Sequence, residues 1–320
     1  MTAVSTAAAP RRPLGRRIYG LLRALPTWVL WMLVVVWTLP TFGLFVSSFR
    51  TRDAQRTSGW WLAFQDNASG FEFPTLINYQ DVLGAEATGG LGPALLNSAS
   101  IAIVSTVIPI AIAAFAAYAF AWIEFKGREW LFIATVALLA VPTQTSLIPL
   151  LQAYASGVHW TIPFIEKTMT IVPDANLAGT IPAVWLTHTG FALPFAIFLL
   201  HNYIAGLPKD IFESAYIDGA DHFKIFWKLV VPLSLPVLAA FAIFQFLWTW
   251  NDYLIALTMI GGQRDALPAT VTIASLAGEF GLREHLLTAG AFVLTVVPLV
   301  VFFALQKFFV RGVTAGSVKG

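Results

Sequence analysis

Pro208-Lys209-Asp210-Ile211-Phe212-Glu213-Ser214-Ala215-Tyr216-Ile217-Asp218-Gly219-Ala220 is a polar interruption between two long apolar stretches, and Pro232 follows thirteen residues past Gly219. Pro208 suits a first helical turn, where its missing N–H would have had no partner. Asp210 and Glu213 fall in that turn and complement the helix dipole. Ile211, Phe212, Ala215 and Tyr216 mark one apolar face, and Gly219 supplies the positive φ that ends many helices. Beyond it, Phe223, Phe226, Trp227 and Val230 recur at i, i+3, i+4 and i+7. That spacing predicts a second short amphipathic helix before Pro232 and Pro236 lead into the next apolar stretch. Small residues at Ala215, Gly219 and Ala220 allow close backbone approach. Pattern alone leaves two readings open: a helix lying on lipid headgroups, or a ball-like helix fitted to a groove on a soluble partner.

The rest of the chain sets that element in a membrane. Of 320 residues, 58% are hydrophobic and 11% charged, against roughly 25% charged in soluble domains. A mean hydropathy of +0.74 agrees, so a polytopic helical membrane protein is the expectation. A net charge of +2 is too small to imply nucleic-acid binding. Cysteine is absent, which excludes disulfides, thiolate catalysis and cysteine metal sites.

Six segments are apolar and long enough to cross a bilayer, at roughly 28–49, 93–122, 131–151, 181–202, 233–258 and 287–309. The first follows Arg11, Arg12, Arg16, Arg17 and Arg23. It is longer than a signal-peptide core and lacks a small-residue cleavage site, so it reads as a retained span. The third is interrupted by Pro142 and Pro149, with Gln144 and Thr145 between them. Pro109, Pro194, Pro236 and Pro298 fall inside other spans, where they read as packing kinks or as hinges.

Lys and Arg set the orientation. With the N-terminus inside, the inner segments hold those five arginines, Lys126, Arg128, Lys209, Lys224, Lys228, Lys307, Arg311 and Lys319. The outer segments hold Arg50, Arg52, Arg56, Lys167, Arg264 and Arg283. Both termini and the 203–232 segment are therefore expected in the cytoplasm. Three outer loops follow, at 50–92, 152–180 and 259–286. The first carries Trp60, Trp61, Phe64, Phe71 and Phe73 and is expected to have local structure at the membrane interface.

The run Glu213-Ser214-Ala215…Asp218-Gly219-Ala220…Phe226…Leu229…Pro232 closely resembles the "EAA" loop of bacterial ABC importer permeases. There the pattern is Glu-Ala-Ala, Asp-Gly-Ala, a hydrophobic residue and Leu-Pro; here Ser214 replaces the middle residue, and Val231-Pro232 stands for Leu-Pro. Trp248-Thr249-Trp250-Asn251-Asp252-Tyr253-Leu254 looks like the Trp-Asn-Asp-aromatic segment of the sugar-uptake permeases. The tail Gln306–Gly320 looks like that of the smaller maltose-type permease, and Asn97-Ser98 and Pro142…Pro149 are also familiar. The resemblance covers roughly 90–320 well and the first span loosely.

The resemblance implies an all-α integral membrane protein of six transmembrane helices, with the type I ABC importer permease fold, in the bacterial inner membrane. Residues 1–27 are then a cytoplasmic segment. Residues 28–320 form the permease domain (core 93–310), with an outer loop at 50–92 and a coupling loop at 206–232. It implies that Glu213, Ser214, Ala215, Asp218, Gly219, Ala220, Phe226 and Pro232 dock in a cleft of an ATP-binding subunit. The implied partners are a second permease, two ABC ATPases, an extracytoplasmic solute-binding protein, the lipid bilayer and a carbohydrate, a di- or oligosaccharide such as an α-glucoside. This chain would not be an enzyme and would hold no cofactor; ATP and Mg would bind the ATPase subunits. In that family the outer loop carrying Glu279, Arg283 and Glu284 reaches into the binding protein; by pattern alone these residues read as a solvated face.

Trp248, Trp250, Asn251, Asp252 and Tyr253 are the candidate translocation path. Aromatic faces with a few polar groups suit sugar rings, but the same residues can pack helices or sit in an interfacial belt. Asp252, near the outer end of its span, reads either as an acid hydrogen-bonded for packing or as a polar rung on the path. His159, His188, His201, His222 and His285 have no metal-ligand spacing, and no phosphate-binding glycine loop occurs. Two further readings stay open. A polar solute such as glycerol-phosphate keeps the architecture. An ion-coupled secondary transporter would need more intramembrane charge than Asp252.

Overall fold

The computed structural model describes residues 26–84, 90–162, 167–277 and 283–317. They fall into two compact units, one ending at Thr75 and one beginning at Leu76.

In the first unit, α1 (Thr27–Ser48) is the first apolar span, and its outward side chains (Trp31, Val35, Trp37) are exposed, as a lipid-facing helix requires. Gly43 near its end lets the Trp60 indole lie against the backbone, where a Cβ would collide with the ring. The chain then folds locally through α2 (Arg52–Thr57) and 3₁₀ turns at Trp60–Gln65 and Asn67–Ser69. Arg50 holds this module together. It is 1% exposed, and its guanidinium donates to both carboxylate oxygens of Asp66 (2.6 and 2.9 Å) and to the carbonyls of Ser58 and Ala54.

In the second unit, α3 (Ile77–Leu83) precedes α4 (Leu91–Trp122), the second span. Its buried stripe is rich in small residues, Ala94, Ser98, Ala102, Ser105, Ala113 and Ala117, with larger Leu91, Ile101, Tyr118 and Phe120 toward its ends and between them. The facing helix α7 (Ile181–Ile204), the fourth span, answers with Ala183, Thr187, Ala192 and Ala196. Without a solvent to exclude, helices in lipid associate through close backbone approach, which small residues permit.

The third apolar segment is α5 (Arg128–Ala137), extended by a 3₁₀ turn to Ala140, and α6 (Thr143–Ser156), bent by 103° at the break. Pro142 lies in that break, and Thr145 Oγ1 donates to its carbonyl at 2.8 Å. The segment after it forms an antiparallel hairpin, β1 (Val158–Ile162) with β2 (Lys167–Val172). Among the described residues these are two short strands beside many helices. Trp160 pairs with Met169 on its exposed apolar face, and His159 with Thr170 on its polar face.

Next come α8 (Lys209–Ile217), α9 (His222–Ile225), a π turn at Phe226–Val230 and α10 (Val231–Trp250). The last three run together as one 29-residue helix, His222–Trp250. The second short helix expected before Pro232 is thus the start of the fifth span: the π turn at Phe226–Val230 carries the helix into α10, and a membrane helix tolerates an interior proline. That span was expected to continue to residue 258. It stops at Trp250, and α11 (Leu254–Ile260) starts afresh. The physical reason is Asp252, whose carboxylate accepts the N–H groups of Ile255 and Ala256 and so starts a new helix. After α12 (Ala269–Ala274), α13 (Glu284–Ser317) is the sixth span. Asn97 donates to the carbonyls of Asp265 and Leu267, and Ser98 accepts the Ala269 N–H. These bonds staple the segment between α11 and α12 to the second span.

Candidate functional site

The motif residues lie at the two ends of the fifth span. At about 1.5 Å per residue, the 29 residues of that helix separate the ends by roughly 40 Å, a membrane's width.

At the first end, α8 is a nine-residue helix, too short to be stable alone. Phe212 fixes it: its ring is 1% exposed and stacks on Trp122 at the end of the second span, with centroids 3.7 Å apart and planes 16° apart. Trp122 is held in turn by its Nε1–H, which donates to the Ile204 carbonyl at 3.1 Å. The opposite face of α8 is free, with Glu213, Ser214, Tyr216, Ile217 and Asp218 exposed and Ala215 half-buried. Its end is a Schellman motif: the Gly219 N–H donates to Tyr216 O and the Ala220 N–H to Ala215 O, each at 3.0 Å, with Gly219 at φ +76°.

Asp221 then caps the fifth span by accepting the Lys224 N–H at 2.7 Å. Next to it, His222 Nδ1 lies 2.9 Å from the Tyr118 hydroxyl of the second span and 3.4 Å from the Tyr216 hydroxyl of α8. Phe226 is buried and stacks on Phe115 (4.2 Å, 19°). Of the four residues expected on that inner face, Phe226 and Val230 are buried, while Phe223 and Trp227 are 67% and 50% exposed; Ile225 is buried in their stead. A π turn adds a residue to the local repeat and rotates the face away from the 3.6-residue pattern. Pro232 is exposed. Reasoning from spacing missed Trp122, Tyr118 and His222. Only the long-range stacking of Trp122 on Phe212 reveals the first, and no sequence signal marked it.

At the second end, the expected path residues separate into two groups. Trp250 is 3% exposed and its Nε1–H donates to Leu294 O at 3.2 Å, so it packs the fifth span on the sixth. Asn251 is exposed and bonds back to Leu247 O. Trp248 and Tyr253 are partly exposed, at 37% and 44%. Asp252 caps α11, as above, and its carbonyl accepts from Thr270 Oγ1 at 2.7 Å. His188 of the fourth span faces the carboxylate at 3.5 Å and meets Trp248 edge-on. Arg283 and Glu284 are exposed where α13 begins, and Glu279 lies outside the described residues. Among the described residues no cluster of histidines and acids could hold a metal ion.

Known proteins resemble the chain over most of its length. The family model described as the inner-membrane component of binding-protein-dependent transport systems matches residues 109–315. The osmoprotective compounds uptake permease protein GgtD of Synechocystis is 52% identical over 89% of this chain and 88% of its own. The alpha-glucoside transport system permease protein AglG of Rhizobium meliloti is 40% identical over 90% of this chain and 95% of its own. In fold, the chain is similar to a solved bacterial ABC transporter involved in alginate import. The TM-score is 0.66 at 18% identity, over 94% of this chain and all of that one. A span-linking loop capped by Gly219, at the head of a helix that ends beside Asp252, sits inside the matched region, and this chain belongs to the inner-membrane components of binding-protein-dependent transport systems.

Proposed function

We propose that the chain is one of two permease subunits of an ATP-driven importer that takes up a carbohydrate, a di- or oligosaccharide of the α-glucoside kind, by alternating access. One observation carries the reading. The helix α8 is anchored by Phe212 under Trp122 and turns an open face outward, Glu213 to Asp218, at one end of the fifth span. A helix so held is a handle: force on its open face reaches the second and fifth spans through Trp122, Tyr118 and His222. On this reading an ABC ATPase grips Glu213, Ser214, Ala215, Asp218, Gly219 and Ala220, and a second ATPase grips the partner permease. ATP and Mg bind those subunits, and this chain catalyses nothing.

Both termini and the 206–232 loop then face the cytoplasm, in line with the Lys and Arg distribution. The opposite end receives a solute-binding protein, with Glu279, Arg283 and Glu284 on the contacting loop. The α-glucoside permease among the relatives supports the sugar. A second reading, a small polar osmoprotective solute, is favoured by the 52% identical relative.

The test is purification from the native membrane in mild detergent. The expected result is an ATPase, a second permease and a binding protein in one complex. Calorimetry of that binding protein against α-glucosides and osmoprotective solutes then decides between the two solutes. A chain that comes alone, and moves solute in liposomes without ATP, refutes the importer reading.

A further inference from the structure

His188 is one of several buried, unpartnered polar side chains among the described residues that the reading above leaves unused, and the one that faces a carboxylate. It lies about a third of the way along the fourth span, is 0% exposed, and neither ring nitrogen has a hydrogen-bond partner. Buried polar groups are paired almost without exception, and an orphan calls for an explanation. The nearest candidate partner is a carboxylate. Asp252 Oδ2 stands 3.5 Å from His188 Nε2, beyond the range of a good N–H···O bond. That oxygen already accepts the Ala256 N–H at 3.0 Å, but a carboxylate oxygen has a second lone pair to offer.

Where Asp252 sits makes the near-miss informative. It occupies the break between α10 and α11, with its side chain on α11 and its carbonyl bonded to Thr270 beside α12. His188 belongs to the fourth span, against which α11 packs. Moving the break toward the fourth span by about half an ångström or a little more brings Nε2 into hydrogen-bonding range. Trp248, edge-on to the imidazole with centroids 5.3 Å apart, limits the ring's own freedom, so the backbone break has to do the moving.

We propose that His188 and Asp252 form a conformational latch. Their hydrogen bond is open in the arrangement described here and closes in the other access state of the bundle. Closure ties the outer half of the fifth span to the fourth, and the unpaired imidazole biases the bundle toward that state. His188 is thus a positioning residue for transport, acting through Asp252. The inference rests on the ATP-driven reading, since it needs two states that nucleotide can interconvert.

The test uses the whole complex in nanodiscs, with histidine ring nitrogens labelled with ¹⁵N. Spectra are taken at rest and after trapping with Mg-ATP and vanadate, and the His188 signal is assigned by its loss in His188→Gln. The expected result is an Nε2 resonance that is hydrogen-bonded in one state and free in the other. In parallel, His188→Leu should lower the vanadate-trapped fraction about tenfold, the size of one charged hydrogen bond. His188→Gln, which keeps a donor at similar reach, should restore most of it. An unchanged resonance across the two states, a normally trapped Leu variant, or a Gln variant as poor as Leu overturns the latch. If the Leu variant fails to assemble, the wild-type resonance decides alone. A wild-type complex that neither hydrolyses ATP nor traps vanadate sinks the importer reading and the latch with it. That outcome is visible in the wild type before any variant is made.

Discussion

Replacing Gly219 separates backbone from side-chain effects, because open space surrounds it. Its φ is +76°, and no heavy atom lies within 4 Å of where a Cβ would stand. Gly219→Ala therefore meets no clash and costs only the left-handed conformation, about 1–2 kcal/mol. Gly219→Pro cannot reach that conformation, since its φ is fixed near about −65°. It also deletes the N–H that donates to Tyr216 O at 3.0 Å. Its cost is about 3 kcal/mol or more. Each 1.4 kcal/mol is about tenfold in an equilibrium. Alanine should thus reduce the population of the correctly ended helix by roughly tenfold, and proline by more than a hundredfold. Transport should follow in that order, with Gly219→Pro abolishing uptake while the subunit stays in the membrane. The assay is initial uptake of radiolabelled solute in cells, normalised to the subunit's membrane level by immunoblot. Normal uptake by the proline variant refutes a coupling role for the loop. An alanine variant as inert as proline refutes this ranking, since alanine meets no clash there and keeps the N–H that proline deletes.

Three other outcomes are expected. Phe212→Ala removes a buried ring and its stack on Trp122, at about 3–5 kcal/mol; hydrogen exchange at residues 209–217 should accelerate while the spans stay protected, and equal protection in both proteins contradicts the anchoring role. Asp66→Ala strands the buried Arg50 guanidinium, a loss of about 3–5 kcal/mol, so limited proteolysis should cut the segment at 52–70 first. The hydrogen bond from His159 to Asp174, at 3.0 Å, together with the Ser156 carbonyl, raises the His159 pKa above its ordinary 6.5. A raised pKa means the protonated imidazole is favoured by the fold, so this contact supports the hairpin fully below about pH 6.5 and is lost as pH rises through the raised value; Trp160 fluorescence should report that loosening, and His159→Gln should abolish its pH dependence.

The spans were legible because lipid imposes a coarse rule, about 20 apolar residues per crossing, and composition satisfied it in six places. What was not legible turns on groups whose partners are remote in sequence. Asp252 read as an acid near the end of a continuous span, yet it ends that span, because a carboxylate can serve as a helix cap and the pattern of apolar residues does not register a cap. Pro142 marked an interruption but not its angle, which depends on what packs against both halves. The hairpin had a signal in the alternation of Val158, Trp160 and Ile162 with His159 and Thr161, five residues that pass for loop next to long apolar runs. In the loop before the fifth span, the Schellman ending at Gly219 was visible in order and type alone, since local hydrogen bonds decide it. The inner face at Phe226 was not, because a π turn changes the period on which spacing arguments rest.

Those two mismatches bear on how the loop and the Asp252 end of the fifth span communicate. If the helix after Gly219 were a separate short element, a push on α8 would be absorbed in the joint before Pro232. It is instead the first turns of one continuous helix from His222 to Trp250, capped at its start by Asp221. A helix transmits a tilt along its length, because bending it means stretching its ladder of backbone bonds. The π turn, Pro232 and Pro236 loosen that ladder near its start without ending the helix; the helix ends at Asn251–Tyr253, and there Asp252 starts the next one. The two motifs that the sequence displays, one around Gly219 and one around Asp252, therefore bound a single lever. A displacement delivered to Phe212 and His222 should appear at the Asp252 break and not in the middle of the fifth span. Lengthening the lever's soft point would test this: glycine pairs placed at 239–240, mid-span, should uncouple ATP hydrolysis from uptake without detaching α8 from Trp122.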